Sequence, residues 1–156
     1  MGRHAADHVK GVRYEGAAEA RPAPEVLPAL ADAEAVIVCP SNPVVSIGPI
    51  LAVPGIQDAV AARRTVVVGV SGIVGGAPLA GMADRLMPAV GLPVTAAGAA
   101  GAYEGMLGGW VIDERDRALA PSIEATGLRV AVTDTVMVDD DRAEALARVT
   151  LELALA

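Results

Sequence analysis

Aromatic residues, cysteine and histidine are scarce in this chain of 156 residues. Phenylalanine is absent, and one tryptophan and two tyrosines leave alanine, valine, leucine and isoleucine to form the core. A single cysteine excludes an internal disulfide and a cysteine-based metal cluster, and we expect Cys39 to be a small buried hydrophobe. The two histidines, His4 and His8, lie in an irregular N-terminal segment, so no Ser-His-Asp catalytic set is predicted.

Basic residues and long apolar runs are also lacking. Lysine and arginine number 12 against 19 acidic residues, which gives a formal net charge of −7. Such a chain attracts neither a nucleic-acid backbone nor an anionic membrane surface, so we predict no nucleic acid and no membrane as partners. No apolar run approaches the ~20 residues of a membrane-spanning helix. The sequence predicts a cytoplasmic protein of one domain, or part of a larger one.

Hydrophobic residues are abundant, at 53% of the chain, and from residue 35 onward strand-like and helix-like patterns alternate. Strands are predicted at 12–14, 35–39, 65–71, 93–97, 110–113 and 129–133. Helices are predicted at 24–30, in the last part of 52–60, and at 78–90, 100–107, 114–126 and from 139 onward. The β-branched run at 65–71 is typical of a parallel strand buried on both faces. This order predicts an α/β fold with a parallel sheet and right-handed crossovers.

The stretch 40–51, Pro-Ser-Asn-Pro-Val-Val-Ser-Ile-Gly-Pro-Ile-Leu, forms a stiff polar loop after the strand predicted at 35–39. We expect Ser46 to cap a helix whose first turn contains Gly48. Open α/β sheets bind ligands at the carboxyl ends of their strands, and the amides at a helix start favour anions. Ser41 and Asn42 add polar side chains. An anion-binding loop and a well-capped turn both fit this pattern.

Two further patterns contain residue types that bind ligands or metals. Ser71, Gly75 and Gly76 follow a buried strand, where glycines let a backbone approach a ligand or form a tight turn. Acidic residues at 113–114 and 139–141 are of the type that Mg²⁺ prefers, but each group precedes a predicted helix. Capping of those helices is therefore the favoured interpretation.

Residues 40–56 resemble the 2-phospho-L-lactate transferases of coenzyme F-420 biosynthesis. Shorter matches follow in the same order, at Ser71-Gly72-Ile73-Val74-Gly75-Gly76, Gly81, Tyr103, Val111-Ile112-Asp113-Glu114 and Thr133-Asp134-Thr135-Val136-Met137. The resemblance covers roughly 24–156 and implies a three-layer, Rossmann-like α/β domain. Family members are about twice this length, so the fold is expected to be incomplete and similar to their C-terminal half. Residues 1–23 are expected to be a poorly ordered or truncated extension.

The resemblance implies a transferase activity. Family members move a phosphorylated three-carbon acid from a guanosine diphosphate-linked donor to a deazariboflavin acceptor, release GMP and use Mg²⁺. The candidate substrate- and phosphate-binding residues are Ser41, Asn42, Ser46, Gly48, Ser71, Gly75, Gly76 and Tyr103. The Mg²⁺ ligands are expected in the N-terminal half of the family, which has no counterpart here. A homodimer, or association with that missing half, is also implied.

Two positions depart from the family pattern. Ala80 stands where the family usually has Lys or Arg, and Ala102 where it usually has His. A basic group stabilises charge on a diphosphate, and an imidazole carries a proton near neutral pH. Lost chemistry and simple lineage variation both fit these changes. We expect the chain alone to be inactive as a transferase, and the alternative is a non-catalytic nucleotide-binding or interaction module on the same scaffold.

Overall fold

A computed structural model describes residues 9–156, so the histidine pair at positions 4 and 8 lies outside the described residues. The strands are β1 (Val36–Val38), β2 (Val67–Val70), β3 (Ile73–Val74), β4 (Ala77–Pro78), β5 (Gly109–Asp113) and β6 (Arg129–Thr133). The helices are α1 (Val26–Asp32), α2 (Gly48–Leu51), α3 (Ile56–Ala62), α4 (Ala83–Ala89), α5 (Ala96–Gly101), α6 (Ala120–Glu124) and α7 (Asp140–Leu155). A π-helical turn spans Pro43–Ile47, and 3₁₀ turns span Ala17–Glu19, Arg64–Val66 and Glu114–Leu119.

Four strands form a parallel sheet in the order β1-β2-β5-β6. Val36 pairs with Val67, Val68 with Gly109, and Val111 with Ala131. All four residues of β2 are buried, as its β-branched sequence predicts. The remaining strands, β3 and β4, form a two-residue antiparallel hairpin that follows β2. The predicted parallel α/β sheet with flanking helices is therefore confirmed.

Helices cover both faces of the sheet and give it three layers. One face carries Val67, Trp110 and Ile112 and packs against the connecting helices, including Ile56 of α3 and Ile123 of α6. The other face carries Val68, Val70 and Val111 and packs against Leu146 and Ala154 of α7. Because α7 contacts all four strands, it is the main cover of the second face.

Glycine allows the close packing of β2 on β5. A Cβ added at Gly69 would lie 2.3 Å from Cζ3 of Trp110, so only glycine leaves room for the indole ring. The ring itself is fully buried, and its Nε1–H donates to the Ala96 carbonyl at 3.0 Å. The single tryptophan thus joins the sheet to α5.

Two predicted strands are absent, and both predictions were wrong. Residues 12–14 are irregular, and the hydroxyl of Tyr14 donates to the carbonyl of Val44 instead of joining a sheet. Residues 93–97 lead into α5, which Thr95 caps by accepting from the Gly98 amide at 2.9 Å. The helix predicted at 100–107 accordingly lies earlier, at Ala96–Gly101.

Other boundaries move because of local pairing. The helix predicted at 78–90 begins only at Ala83, because Ala77–Pro78 pairs with Ile73–Val74. The helices predicted near both ends of the chain are confirmed as α1 and α7, and 114–126 forms a 3₁₀ turn followed by α6. Cys39 is exposed, so its predicted burial was wrong. Within residues 9–156, no single helix is long and apolar enough to span a membrane. The helical segments Pro43–Leu51 and Ile56–Ala62 reach the length and apolar composition of a span only when taken together, and they are bent by 92° at the break between them.

Candidate functional site

A cleft of about 550 Å³ opens at the carboxyl ends of the parallel strands. Its walls come from the loops after β1, β2 and β6 and from the segment between β4 and α4. The loop after β1 contributes Ser41, Asn42 and Ser46, and the loop after β6 contributes Thr135 and Met137. This is the edge at which the sequence pattern fits both an anion-binding loop and a well-capped turn.

Asn42 organises the loop after β1. Its side-chain Oδ1 accepts from the amides of Val44 at 2.9 Å and Val45 at 3.2 Å, and its carbonyl accepts from the amides of Ser46 and Ile47. Pro43, next in the chain, has no amide proton to satisfy and suits the first helical position. Asn42 is therefore the cap, and the prediction that Ser46 would cap the helix was wrong. The first amides of this turn are already hydrogen-bonded.

Three polar groups of this loop remain uncommitted. The hydroxyls of Ser41 and Ser46 and the side-chain nitrogen of Asn42 make no hydrogen bond with any residue of the described part of the chain. All three side chains are half-buried and line the cleft. All three groups are neutral hydrogen-bond donors of the kind that pair with acceptor-rich groups.

The loop after β2 is held by its own hydrogen bonds. The Ser71 hydroxyl donates to the Ile73 carbonyl at 2.8 Å and accepts from the Ile73 amide at 3.1 Å, and the side chain is buried. Gly72 lies against the backbone of Ser41, where an added Cβ would be 3.2 Å from the Ser41 carbonyl oxygen. The two loops therefore touch, and Ser71 shapes the cleft more than it offers a free donor.

Gly75 and Gly76 form the turn between β3 and β4. Their φ angles are +59° and +79°, in the region that favours glycine. The Gly75 amide donates to the carboxylate of buried Asp116 at 2.9 Å. Neither glycine lines the cleft, so here the tight-turn interpretation has structural support.

Asp113, at the end of β5, is a buried carboxylate that the sequence analysis treated only as a capping or metal candidate. Its Oδ1 accepts from the Arg115 amide at 3.0 Å, which confirms the capping role. Its Oδ2 accepts from the Thr135 amide at 3.0 Å and the Thr135 hydroxyl at 3.1 Å. Since Thr135 lines the cleft, Asp113 fixes the cleft wall that follows β6.

The charge on Asp113 is stabilised by these bonds. Burial by itself raises the pKa of this carboxyl, but the hydrogen bonds from Thr135 and Arg115 and the nearby Arg115 guanidinium outweigh burial and lower the pKa below its usual value. Asp139 likewise caps α7 by accepting from the Arg142 amide at 2.8 Å. Over residues 9–156, no group of three or more His, Cys, Asp or Glu side chains is arranged to hold a metal ion.

Apolar side chains surround the polar floor of the cleft. Val45, Leu79, Met82 and Met137 line it and are 48%, 58%, 53% and 50% exposed. Ala80 also lines the cleft, and none of the lining residues within the described range 9–156 carries a charge. The cleft therefore combines neutral, half-buried donors with an exposed apolar rim formed by these four side chains.

Gly48 and Tyr103, two of the predicted site residues, lie outside the cleft. A Cβ at Gly48 would be 2.1 Å from the Tyr14 hydroxyl, and Gly48 lines a separate cavity with Tyr14 and Ala102. Tyr103 lines a third cavity, of about 220 Å³, and its ring centroid is 5.8 Å from that of Trp110. Its burial raises the pKa of the phenol. Of the eight predicted site residues, the structure brings Ser41, Asn42, Ser46 and Ser71 together in the cleft.

The amino-acid sequence was compared with known protein families. The family model described as 2-phospho-L-lactate transferase CofD matches residues 2–153. The chain belongs to this family. The match also extends the resemblance seen in the sequence, which began near residue 24, almost to the start of the chain.

Three relatives illustrate the relationship within the 2-phospho-L-lactate transferase family. The phosphoenolpyruvate transferase of Streptomyces griseus is 49% identical over 140 residues, covering 89% of this chain and 44% of the relative. That of Kitasatospora aureofaciens is 45% identical, with 97% and 47% covered. The 2-phospho-L-lactate transferase of Methanosarcina barkeri is 40% identical, with 98% and 49% covered. The chain therefore spans about half the length of the curated relatives it matches.

Proposed function

We propose that this chain forms the nucleotide-phosphate-binding half of a 2-phospho-L-lactate or phosphoenolpyruvate transferase. The observation that carries the proposal is the convergence of Ser41, Asn42 and Ser46, with uncommitted donors, in a cleft at the carboxyl ends of the strands. Family membership supplies the reaction class, since the relatives are named for it. The cleft supplies the contacts for a phosphate.

In this proposal the chain binds and orients a guanosine diphosphate-linked donor. The hydroxyls of Ser41 and Ser46 and the Asn42 amide group donate to diphosphate oxygens, and the apolar rim holds the less polar parts of the substrates. The acceptor hydroxyl of deazariboflavin forms a new P–O bond to the phosphorus that carries the three-carbon acid. The P–O bond to GMP breaks, and the hydroxyl proton passes to solvent or to a base outside these residues.

A Mg²⁺ ion does not fit the residues described here. Asp113 uses both carboxylate oxygens within the fold, Asp139 caps a helix, and no cluster of three candidate ligands exists among residues 9–156. We therefore route no step through a metal on this chain. Mg²⁺ bound to the substrate or to other protein segments would neutralise charge on the diphosphate.

Binding of the donor phosphate can be tested directly. Hydrogen bonds to a charged phosphate contribute roughly 1.5–3 kcal/mol each, so two or three of them suffice for millimolar affinity after the cost of association. We expect the chain to bind GDP and GMP in calorimetric titrations, and the double variant Ser41→Ala/Ser46→Ala to bind at least tenfold more weakly. Ser122→Ala is the matched control, because that exposed hydroxyl donates to Leu119 outside the cleft. Equal binding by both variants would refute the assignment.

A non-catalytic binding module is the second candidate function. The observation in its favour is that, among the described residues, no charged side chain lines the cleft, and Ala80 stands where the resemblance leads us to expect a basic residue. A module of this kind would bind the nucleotide as described but would never release GMP from the donor, even when joined to the rest of a transferase. GMP release by the chain joined to the rest of a transferase would favour the transferase half, and binding of the nucleotide without GMP release would favour the non-catalytic module.

A further inference from the structure

The cavity of about 220 Å³ that Tyr103 lines, which we call the Tyr103 cavity, lies at the opposite end of the sheet from the cleft. Its lining includes Arg64, Leu107 and Leu128, which come just before β2, β5 and β6, and the other walls come from α5, α6 and the turns after these helices. Because the strands are parallel, their amino ends share one edge of the sheet and the cleft occupies the other. The Tyr103 cavity is therefore separate from the proposed nucleotide site.

The interior of the Tyr103 cavity is apolar. Ala100, Leu107 and Ile123 line it and are buried, and Leu128 is half-buried. An engineered apolar cavity of about 150 Å³ holds benzene, whereas pockets for drug-sized ligands begin near about 300 Å³. The Tyr103 cavity therefore has room for one ring or a short branched chain that carries a small polar group.

The hydroxyl of Tyr103 is a polar group inside this apolar space. The residue is 4% exposed, and its hydroxyl has no hydrogen-bond partner within residues 9–156, yet this oxygen is not fully enclosed by protein. The small accessible part of the residue thus includes the hydroxyl, which faces the cavity. A buried phenol is stabilised by a hydrogen-bond partner, which a ligand can supply. Burial also raises the pKa of this phenol, so it stays protonated and can donate near neutral pH.

The two other hydroxyls at the cavity are already used as donors. Ser122 donates to the Leu119 carbonyl at 2.7 Å, and Thr126 donates to the Ile123 carbonyl at 2.6 Å. Both residues are exposed and lie at the mouth of the cavity. The neutral donor that is left for a ligand is therefore the Tyr103 hydroxyl.

At the mouth of the cavity, a cation is held in place and the neighbouring anion is not. The Nε–H of Arg64 donates to the Leu107 carbonyl at 2.9 Å, whereas its two terminal nitrogens have no partner among residues 9–156. Glu104 also lines the cavity, but it is exposed, and no hydrogen bond or ion pair within the described chain holds its carboxylate away from solvent. A guanidinium that is already fixed loses little freedom when it binds a carboxylate. The charge that is fixed at the mouth is therefore positive.

We propose that the Tyr103 cavity binds a compact, largely apolar carboxylate. The apolar part fills the space between α5 and α6, and the carboxylate accepts hydrogen bonds from the Tyr103 hydroxyl and from a terminal nitrogen of Arg64. Both groups line one small cavity, so a single small ligand can reach them together. The proposal does not depend on the transferase reaction, because neither residue lines the cleft.

Benzoate is the probe for this site, because its ring suits the volume and its carboxylate supplies the acceptors. We expect roughly millimolar binding, as is usual for ligands of about nine non-hydrogen atoms, in an NMR titration of the isotope-labelled chain. Backbone amide signals of residues 97–107 and 122–128 should shift, and those of residues 41–46 should not. The absence of saturable shifts, or shifts confined to the cleft, would overturn the proposal.

Removal of the Tyr103 hydroxyl tests its contact with the ligand. Tyr103→Phe keeps the ring and should weaken benzoate binding about fivefold, because one hydrogen bond is lost. Tyr14→Phe is the matched control, since the Tyr14 hydroxyl donates to the Val44 carbonyl at a different cavity and its loss should leave the affinity unchanged. The amide spectrum of each free variant shows whether it is folded. Equal affinity of Tyr103→Phe and the wild type would contradict the contact.

Benzamide, the neutral counterpart of benzoate, tests the role of Arg64. The chain should prefer benzoate about fivefold, as expected for a partly solvent-screened ion pair, and Arg64→Gln should abolish the preference. Arg148→Gln is the matched control, because it removes the same charge from α7, where Arg148 pairs with Glu144 outside the cavity, and it should keep the preference. Tighter binding of benzamide than of benzoate by the wild type, or a preference for benzoate that survives Arg64→Gln, would refute the proposed carboxylate site.

Discussion

Replacement of Asp113 by alanine should destabilise the chain severely, although Asp113 touches no proposed ligand. Asp113 is 2% exposed, and its carboxylate joins the end of β5 to the loop after β6 through Thr135, whose exposure is 3%. It also caps the turn at Arg115. The change removes one acceptor group and leaves several donors without partners.

The size of the effect follows from those donors. Leaving the buried Thr135 amide and hydroxyl unsatisfied costs about 1–3 kcal/mol each, with the rotatable hydroxyl at the low end. Loss of the cap at Arg115 adds about 1 kcal/mol. The ion pair with Arg115 adds little, because its 3.7 Å contact involves a 63% exposed guanidinium side chain. These costs sum to about 3–5 kcal/mol, and relief of carboxylate burial offsets part of the sum, so we expect a loss of about 2–4 kcal/mol of unfolding free energy.

Urea denaturation followed by fluorescence of Trp110, the single tryptophan, measures this loss. Asp139→Asn is the control, because asparagine caps a helix as well as aspartate and the change should stay within about 0.5 kcal/mol. The pKa of Asp113 is lowered in the folded chain. Its stabilisation is therefore complete above the unfolded pKa of about 3.9 and disappears as the pH falls through the folded value. A loss under 1 kcal/mol at pH 7, or one that does not shrink in acid, would refute this reasoning.

Three other substitutions test the packing and the site. Gly69→Ala should cost about 1–3 kcal/mol in the same denaturation assay, because the new methyl group meets the Trp110 ring; an unchanged midpoint would contradict the close contact. Tyr103→Phe should not lower the stability, since the Tyr103 hydroxyl lines a cavity and has no hydrogen-bond partner among residues 9–156; a loss above 1 kcal/mol would reveal one. Asn42→Ala should cost about 1 kcal/mol through lost capping and Asn42→Asp much less, and equal losses would argue against the cap.

The sheet was predictable because its strands are rich in residues that favour strands. The run at 65–71 and the strands at 110–113 and 129–133 contain many Val, Ile and Thr residues, and a strand lies within or at each of these ranges. Prediction failed at 93–97 because alanine-rich segments show no clear period. There, a Thr95 side chain that caps α5 decided the structure.

The site was only partly predictable, because several of its contacts depend on three-dimensional geometry and join residues that are far apart in the sequence. The loop after β1 could be found from its prolines and its position after a strand, but which side chain caps the turn depends on geometry that favours Asn42 over Ser46. The link between Asp113 and Thr135 spans 22 residues and joins two strand ends, so no local pattern indicates it. Tyr103 is separated from the cleft by the packing of α5, which residue order alone does not show.

Release of GMP is the most direct test of the central claim that this chain is the phosphate-binding half of a transferase. The assay supplies a guanosine diphosphate-linked phospholactate or phosphoenolpyruvate donor, deazariboflavin and Mg²⁺, and it compares the chain alone with the chain mixed with the unmatched part of the Streptomyces griseus relative. We predict no GMP from either piece alone, GMP from the mixture, and a large drop when the chain carries Ser41→Ala/Ser46→Ala. GMP release by the chain alone, or none from a mixture in which size-exclusion chromatography shows that the two pieces associate, would contradict the account.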